Sequence, residues 1–139
     1  MTPHYELFDH TADLGVRVRA AALAELVPPA TEALYAAIGE VVTTDAARPW
    51  TLELRGDDPA VLLRDYLAEL LHAFDCGQQR LTDVHVMEFT PQRIRVSGKM
   101  RAVDPAASDF AREIKAVTYH ELAIRPIAGG YEATYIVDI

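Results

Sequence analysis

Cysteine is almost absent from this chain. Cys76 is the one cysteine in 139 residues and has no partner for an internal disulfide. The core must therefore hold by packing alone, and a reducing, cytosolic compartment fits. Cys76 follows a strong helical run and reads as a small core or helix-end residue rather than a nucleophile. Positive charge is also scarce: 13 Lys and Arg stand against 21 Asp and Glu, for a net charge of −8. Tight non-specific nucleic-acid binding needs a basic face that displaces counterions. No strong direct nucleic-acid binding is expected, which leaves room for RNA-related work done through a protein partner. No stretch approaches the roughly 18 apolar residues of a membrane span. The opening Met1-Thr2-Pro3-His4-Tyr5 lacks the basic and then apolar regions of a signal peptide. A cytoplasmic protein with no membrane segment is the expectation.

Several common chemistries lack their motifs. There is no glycine-rich phosphate loop, since Gly129-Gly130 reads as a turn. There is no serine on a nucleophile elbow. His10 could ligate a transition metal, but no second His or Cys stands at zinc spacing from it. A structural, hydrogen-bonding histidine is the simpler reading of His10.

Apolar residues are plentiful. Half the chain is hydrophobic, enough for the core of one domain spanning 1–139. Alternation predicts strands around Tyr5–Leu7, Leu14–Ala20, Trp50–Arg55, Val84–Phe89 and Ile94–Val103. Leu23, Leu26, Val27, Ala30, Leu34 and Ile38 recur at helical spacing. Pro28-Pro29 should kink or restart that helix, and Gly39 should stop it. Asp58-Pro59 reads as a cap and first residue of a second helix, whose apolar stripe runs from Leu62 to Phe74 and which ends near Cys76-Gly77. Two final strands, Ile114–Ile124 and Tyr131–Ile139, are expected to join through Pro126 and Gly129-Gly130. The order predicts an α+β domain: one mixed or antiparallel sheet system carrying two main helices on a face.

Two acidic patches stand out. The first is Phe8-Asp9-His10-Thr11-Ala12-Asp13; the second is Ile136-Val137-Asp138-Ile139, where the sequence stops. Asp138 and a main-chain carboxylate on Ile139 would place two anions within one residue. If the fold brings Asp9 or Asp13 beside them, three or four negative oxygens converge, and a hard cation such as Ca²⁺ or Mg²⁺ is the usual bridge. The plainer alternative is two separate spots: an Asx-turn at the first and a frayed end at the second. The apolar last strand weighs against fraying, because a strand held in the sheet fixes Asp138. Lys115, within Glu113-Ile114-Lys115-Ala116-Val117-Thr118-Tyr119-His120, could offset such a cluster or hold a phosphate. As a lone lysine it reads equally as an exposed strand residue. His10 and His120 could form an acid/base pair, though nothing in the sequence sets their distance.

Taken in order, Phe8-Asp9-His10-Thr11-Ala12-Asp13-Leu14-Gly15, Glu113 through His120 and the closing Val137-Asp138-Ile139 resemble the archease family. The resemblance spans the whole chain. It implies a small cytosolic α+β protein that is not an enzyme itself. Such a protein activates the GTP- and metal-dependent tRNA-splicing RNA ligase, promoting its guanylylation and multiple turnover. The family pattern implies a metal held by Asp13, Asp138 and Ile139, with Ca²⁺ the first choice over Mg²⁺ or Mn²⁺. It makes Lys115, Asp9 and His10 candidates for activation. Pro28-Pro29 departs from the family's first long helix and bears on that helix's straightness. The competing readings are a metal-dependent phosphoester hydrolase and a general chaperone of RNA-processing enzymes.

Overall fold

Two strands open the chain and pair antiparallel. β1 (His4–His10) and β2 (Asp13–Ala20) set Leu7 opposite Val16 and Asp9 opposite Leu14. A computed structural model describes residues 1–10 and 13–139, His10 by its backbone alone; Thr11 and Ala12 lie outside the described residues. Along β2, Leu14, Val16, Val18 and Ala20 are buried, while Arg17 and Arg19 are partly exposed. That alternation is what a pleated strand with one face on the core requires.

A 3-10 turn, Ala24–Leu26, leads into α1 (Val27–Ile38). Pro28 and Pro29 sit in the first turn of α1, where a missing N–H leaves no helical bond unmade. The double proline therefore starts the helix instead of bending it. Gly39 ends α1 at a φ of 140°, a conformation left to glycine. A Cβ on Gly39 would stand 2.3 Å from the Asp109 carbonyl oxygen. Only glycine lets β3 (Gly39–Glu40) approach and pair with β7 (Asp109–Phe110).

β4 (Thr43–Arg55) is longer than its alternation suggests, because a register shift between Thr43 and Ala47 lets pairing continue past the break in pattern. α2 (Pro59–Gly77) is capped by Asp58, whose carboxylate accepts the Ala60 N–H at 2.9 Å. The helix stops at Gln78, which takes the left-handed conformation and donates its N–H to Ala73 and Phe74. Cys76 is exposed in the last turn, so the helix-end reading holds and the core reading fails.

β5 (Gln79–Thr90) and β6 (Arg93–Val103) complete a three-stranded sheet in the order β4-β6-β5. The last third departs most from expectation. In place of one strand over Ile114–Ile124, there is a short β8 (Ala116–Val117), a corner, and β9 (Ala123–Ile127). Thr118 turns the chain away by bonding its N–H and hydroxyl to the Ile136 carbonyl at 3.0 and 2.8 Å. Glu121 adds a left-handed residue at φ 52°. Pro126 lies inside β9 and not in the following turn. This is tolerated because, among the described residues, β9 pairs with β10 (Gly130–Asp138) alone.

The larger sheet runs β1-β2-β10-β8, with β9 also on β10. The single sheet system expected from the sequence is thus three sheets of five, two and three strands, every described pairing antiparallel. The α+β class stands: α1 packs on β1 and β2, α2 packs on β4, β5, β6 and β8, and the helices touch each other. Among the described residues, no helix is long and apolar enough to cross a membrane.

Candidate functional site

One end of the five-stranded sheet collects the residues the sequence singles out. β10 lies inside that sheet, between β2 on one side and β8 and β9 on the other. Its final residues are pinned and not frayed. The β2–β10 ladder reaches Leu14 opposite Val137. One step further, Asp13 opens β2 and Asp138 closes β10, so the two aspartates stand on adjacent strands. Leu14 and Val137 are both buried toward the core. The pleat therefore turns Asp13 and Asp138 to the opposite face, together. Both are partly exposed there.

On the flanks, His10 is paired with Asp13, and Ala116 with Asp138. Asp9 pairs with Leu14, which puts it on the other side of the pleat from Asp13. The His10 side chain lies outside the described residues. His120 is exposed at the corner after β8, with Glu121 3.9 Å from its Nε2.

Lys115 stands at the mouth of this row, just ahead of β8, and not within a regular strand as its sequence context suggests. It is exposed, and its backbone N–H donates to the Asp138 carbonyl at 2.7 Å. The same main chain thus carries the ammonium group and fixes the last acidic residue. Three side chains brace these strands; Phe8 belongs to the first acidic motif, while the sequence does not announce Arg64 or Arg17. Arg64, on α2, donates to the Val117 carbonyl and the Tyr119 hydroxyl, both at 2.9 Å, with its guanidinium 4.3 Å above the Tyr119 ring. Phe8 lies over Gly15, where a Cβ would come within 2.2 Å of its ring. Arg17 in turn stacks on Phe8 at 4.7 Å. A lone charged residue beside an apolar helical stripe, such as Arg64 after Leu63, is the signal that could have flagged the first of these.

The chemistry open to this corner is electrostatic. Among the described residues, no three His, Cys, Asp or Glu side chains converge as a metal cage. A cation here would rest on two aspartates and a main-chain carboxyl group, a hard oxygen set that suits Ca²⁺ or Mg²⁺. The buried tyrosines Tyr35, Tyr66 and Tyr135 are all pushed up by burial, Tyr35 to about 12, so none ionises near neutral pH. Their hydroxyls serve packing: Tyr66 meets Thr31 at 2.6 Å and Tyr35 accepts the Leu81 N–H at 2.9 Å.

Comparison with known proteins agrees with this architecture. Residues 5–139 match the model of the Archease protein family (MTH1598/TM1083). The chain is 29% identical over 138 residues to protein archease of Methanopyrus kandleri, covering 97% of this chain and 99% of that one. It is 31% identical to protein archease of Methanosarcina barkeri, covering 97% and 95%. The solution structure of Methanobacterium thermoautotrophicum protein 1598 superposes with a TM-score of 0.73 at 25% identity, covering 97% of this chain and 98% of that one. The crystal structure of a Thermotoga maritima archease, described as a possible chaperone, shares the fold with a TM-score of 0.70 at 17% identity, covering 96% of each. With the family pattern matched from the first strand to the last residue, this chain belongs to the archease family.

Proposed function

We propose that the protein is a non-enzymatic activator of the GTP- and metal-dependent tRNA-splicing RNA ligase, promoting its guanylylation and its multiple turnover. The observation that carries this reading is the shared sheet end: Asp13 and Asp138 on adjacent strands and one face, with Lys115 bonded through its amide to Asp138. Asp13, Asp138 and the main-chain carboxyl of Ile139 would hold a divalent cation there, Ca²⁺ first and Mg²⁺ or Mn²⁺ next. Such an ion supplies positive charge without redox chemistry.

This chain's own residues do the rest. The acidic corner steers toward a cationic, metal-rich mouth on the ligase. Lys115 meets a phosphate or carboxylate at its edge, and the β8 corner keeps that lysine beside Asp138. The sequence has no glycine-rich phosphate loop and no serine nucleophile elbow, which favours an accessory over a hydrolase. The test is multiple-turnover RNA ligation with limiting ligase, alongside guanylylation of the ligase, with and without this protein. Stimulation of both supports the proposal. Hydrolysis of nucleotide or RNA by this protein alone would replace it with the phosphoester-hydrolase reading. Stabilisation of the ligase without faster guanylylation would point to a general chaperone.

A further inference from the structure

A second feature lies at the ends of α1 and α2, and the acidic pair does not account for it. Between the last turns of α2, the end of α1 and residues 110–114 is a hollow of about 330 Å³. Its walls are apolar: Ile38, Leu71, Phe74, Phe110 and Ile114. A second hollow of about 180 Å³ continues past the same Phe74 and Phe110 toward Val103 and Pro105. The Phe110 ring divides the two, edge-on to Phe74 with centroids 5.6 Å apart. Phe110 nevertheless remains 47% exposed, a large aromatic surface left to water. Its backbone is held by the Gly39 close approach, and Ala111 N–H donates to Ile38 at 2.8 Å.

Charge narrows what this groove accepts. Asp75 and Glu113 line its first hollow, both exposed, and neither has an ion-pair partner among the described residues. The Asp75 carboxyl is pushed up by partial burial first and by the Glu113 charge second, with His72 opposing. Arg112, the cation in the lining, is engaged by main chain, its guanidinium donating to the Ala37 carbonyl at 2.7 Å. An aromatic floor with two unneutralised carboxylates at its rim suits an apolar anchor flanked by a cation. A second copy of this chain is a poor occupant, because each copy carries a net charge of −8. In sequence the lining adjoins the site: Glu113 and Ile114 line the groove, and the next residue is Lys115.

We propose that this groove docks a segment of the partner protein that presents a large apolar side chain beside a lysine or arginine, placing the partner across Lys115. The inference rests on the activator reading and assigns it a binding surface separate from the acidic corner.

The test titrates wild type, Phe110→Ala and the rim variant Asp75→Asn/Glu113→Gln into limiting tRNA-splicing RNA ligase and measures turnover against concentration. Circular dichroism and thermal melting confirm folding. The rim variant alters only exposed side chains and guards against a packing defect in Phe110→Ala. Both variants should raise the half-stimulating concentration about tenfold or more, the shift of one lost hot spot. Added salt should weaken wild type more than the rim variant. Lys115→Ala should show the reverse split, a lower plateau at an unchanged half-stimulating concentration. Groove variants that titrate like wild type overturn the docking proposal and leave the activator reading standing. Groove variants that lose only the plateau overturn it too, since the groove would then act after binding. A wild type that neither binds nor stimulates the ligase overturns the activator reading and the docking surface with it.

Discussion

The two ends of the five-stranded sheet carry the same kinds of residue to opposite effect. At one end, Arg19, Glu132 and Arg125 lie side by side across β2, β10 and β9. Glu132 is 4% exposed, and both arginines bond it, Arg19 at 2.8 Å and Arg125 at 3.0 Å. At the other end, the row across β2 and β10 is Asp13 beside Asp138, with no arginine in register. One carboxylate is enclosed by cations and fixed. The other two stand on adjacent strands and on one face, both partly exposed. A polar row whose charges are matched within the chain holds strands together. The proposed cation site would use the second kind of row, two carboxylates on adjacent strands that favour a bridging cation.

The largest effect expected from this contrast is functional. Asp13→Ala and Lys115→Ala should remove most of the stimulation of ligase turnover and guanylylation while the protein stays folded, since Asp13 is partly exposed and Lys115 exposed. A loss of about tenfold or more, or about 1.4 kcal/mol of coupling, is the scale of one charged contact removed from such a site. If both variants stay folded and stimulate as well as wild type, the acidic corner is not the active surface.

Stability should respond at the other end. Glu132→Gln removes the charge that two arginines share and should cost about 1–2 kcal/mol, toward the low end for charge-assisted bonds because Arg125 is mostly exposed. The direction with pH follows from the carboxyl itself. Arg125 draws it down, burial opposes, and Arg19 draws it down again, so its folded value lies below the ordinary 4.5. The stability it contributes is present above pH 4.5 and is lost as pH falls through the lowered value. Melting curves of wild type and Glu132→Gln should therefore differ at neutral pH and converge in acid. Stimulation of the ligase at saturating protein should not change.

A peptide extension after Ile139 tests the acidic end more gently. It converts the main-chain carboxylate into an amide and removes one charged ligand, so calorimetric titration with Ca²⁺ should show weaker binding, about tenfold or less. Equal affinities with and without the extension would remove Ile139 from the ligand set and leave the two aspartates alone.

Much of this contrast was legible in the sequence, though unevenly. The helices were, because Asp58-Pro59 and Gly39 mark boundaries by local chemistry and the stripe from Leu62 to Leu71 has one period. The sheet end was legible only in part. Acid density drew attention to Asp13 and Asp138, but their adjacency depends on β10 entering the sheet next to β2, a pairing between opposite ends of the chain. No local pattern encodes that register. Asp9 shows the converse: it is as prominent as Asp13 in the motif, yet the pleat sends it to the other face. The break between β8 and β9 is hidden in the sequence because its residues are good strand formers. What turns the chain there is a tertiary contact, Thr118 to Ile136 and Arg64 to Val117. The Phe110 groove left no mark at all, being assembled from α1, α2 and a two-residue strand.

The smallest predicted effect separates the two ends most cleanly, because one chemical change should take opposite signs. In metal-free protein at low salt, Asp13 and Asp138 repel across adjacent strands, where directly opposed side chains sit about 4.5–5.5 Å apart at Cβ. Replacing one carboxylate with an amide of nearly the same shape relieves that repulsion. Asp138→Asn should therefore raise stability, by less than about 1 kcal/mol at a half-exposed site. The gain should shrink as salt screens the pair. It should reverse when Ca²⁺ is added, because wild type then gains binding energy that the variant lacks. Glu132→Gln, the same loss of one charge at the matched end, should lower stability in every one of these conditions. Thermal melts in chelator, in salt and in Ca²⁺ decide it. If Asp138→Asn destabilises the metal-free protein as Glu132→Gln does, the acidic row is internally compensated after all, and the distinction between a matched and an unmatched end of the sheet collapses.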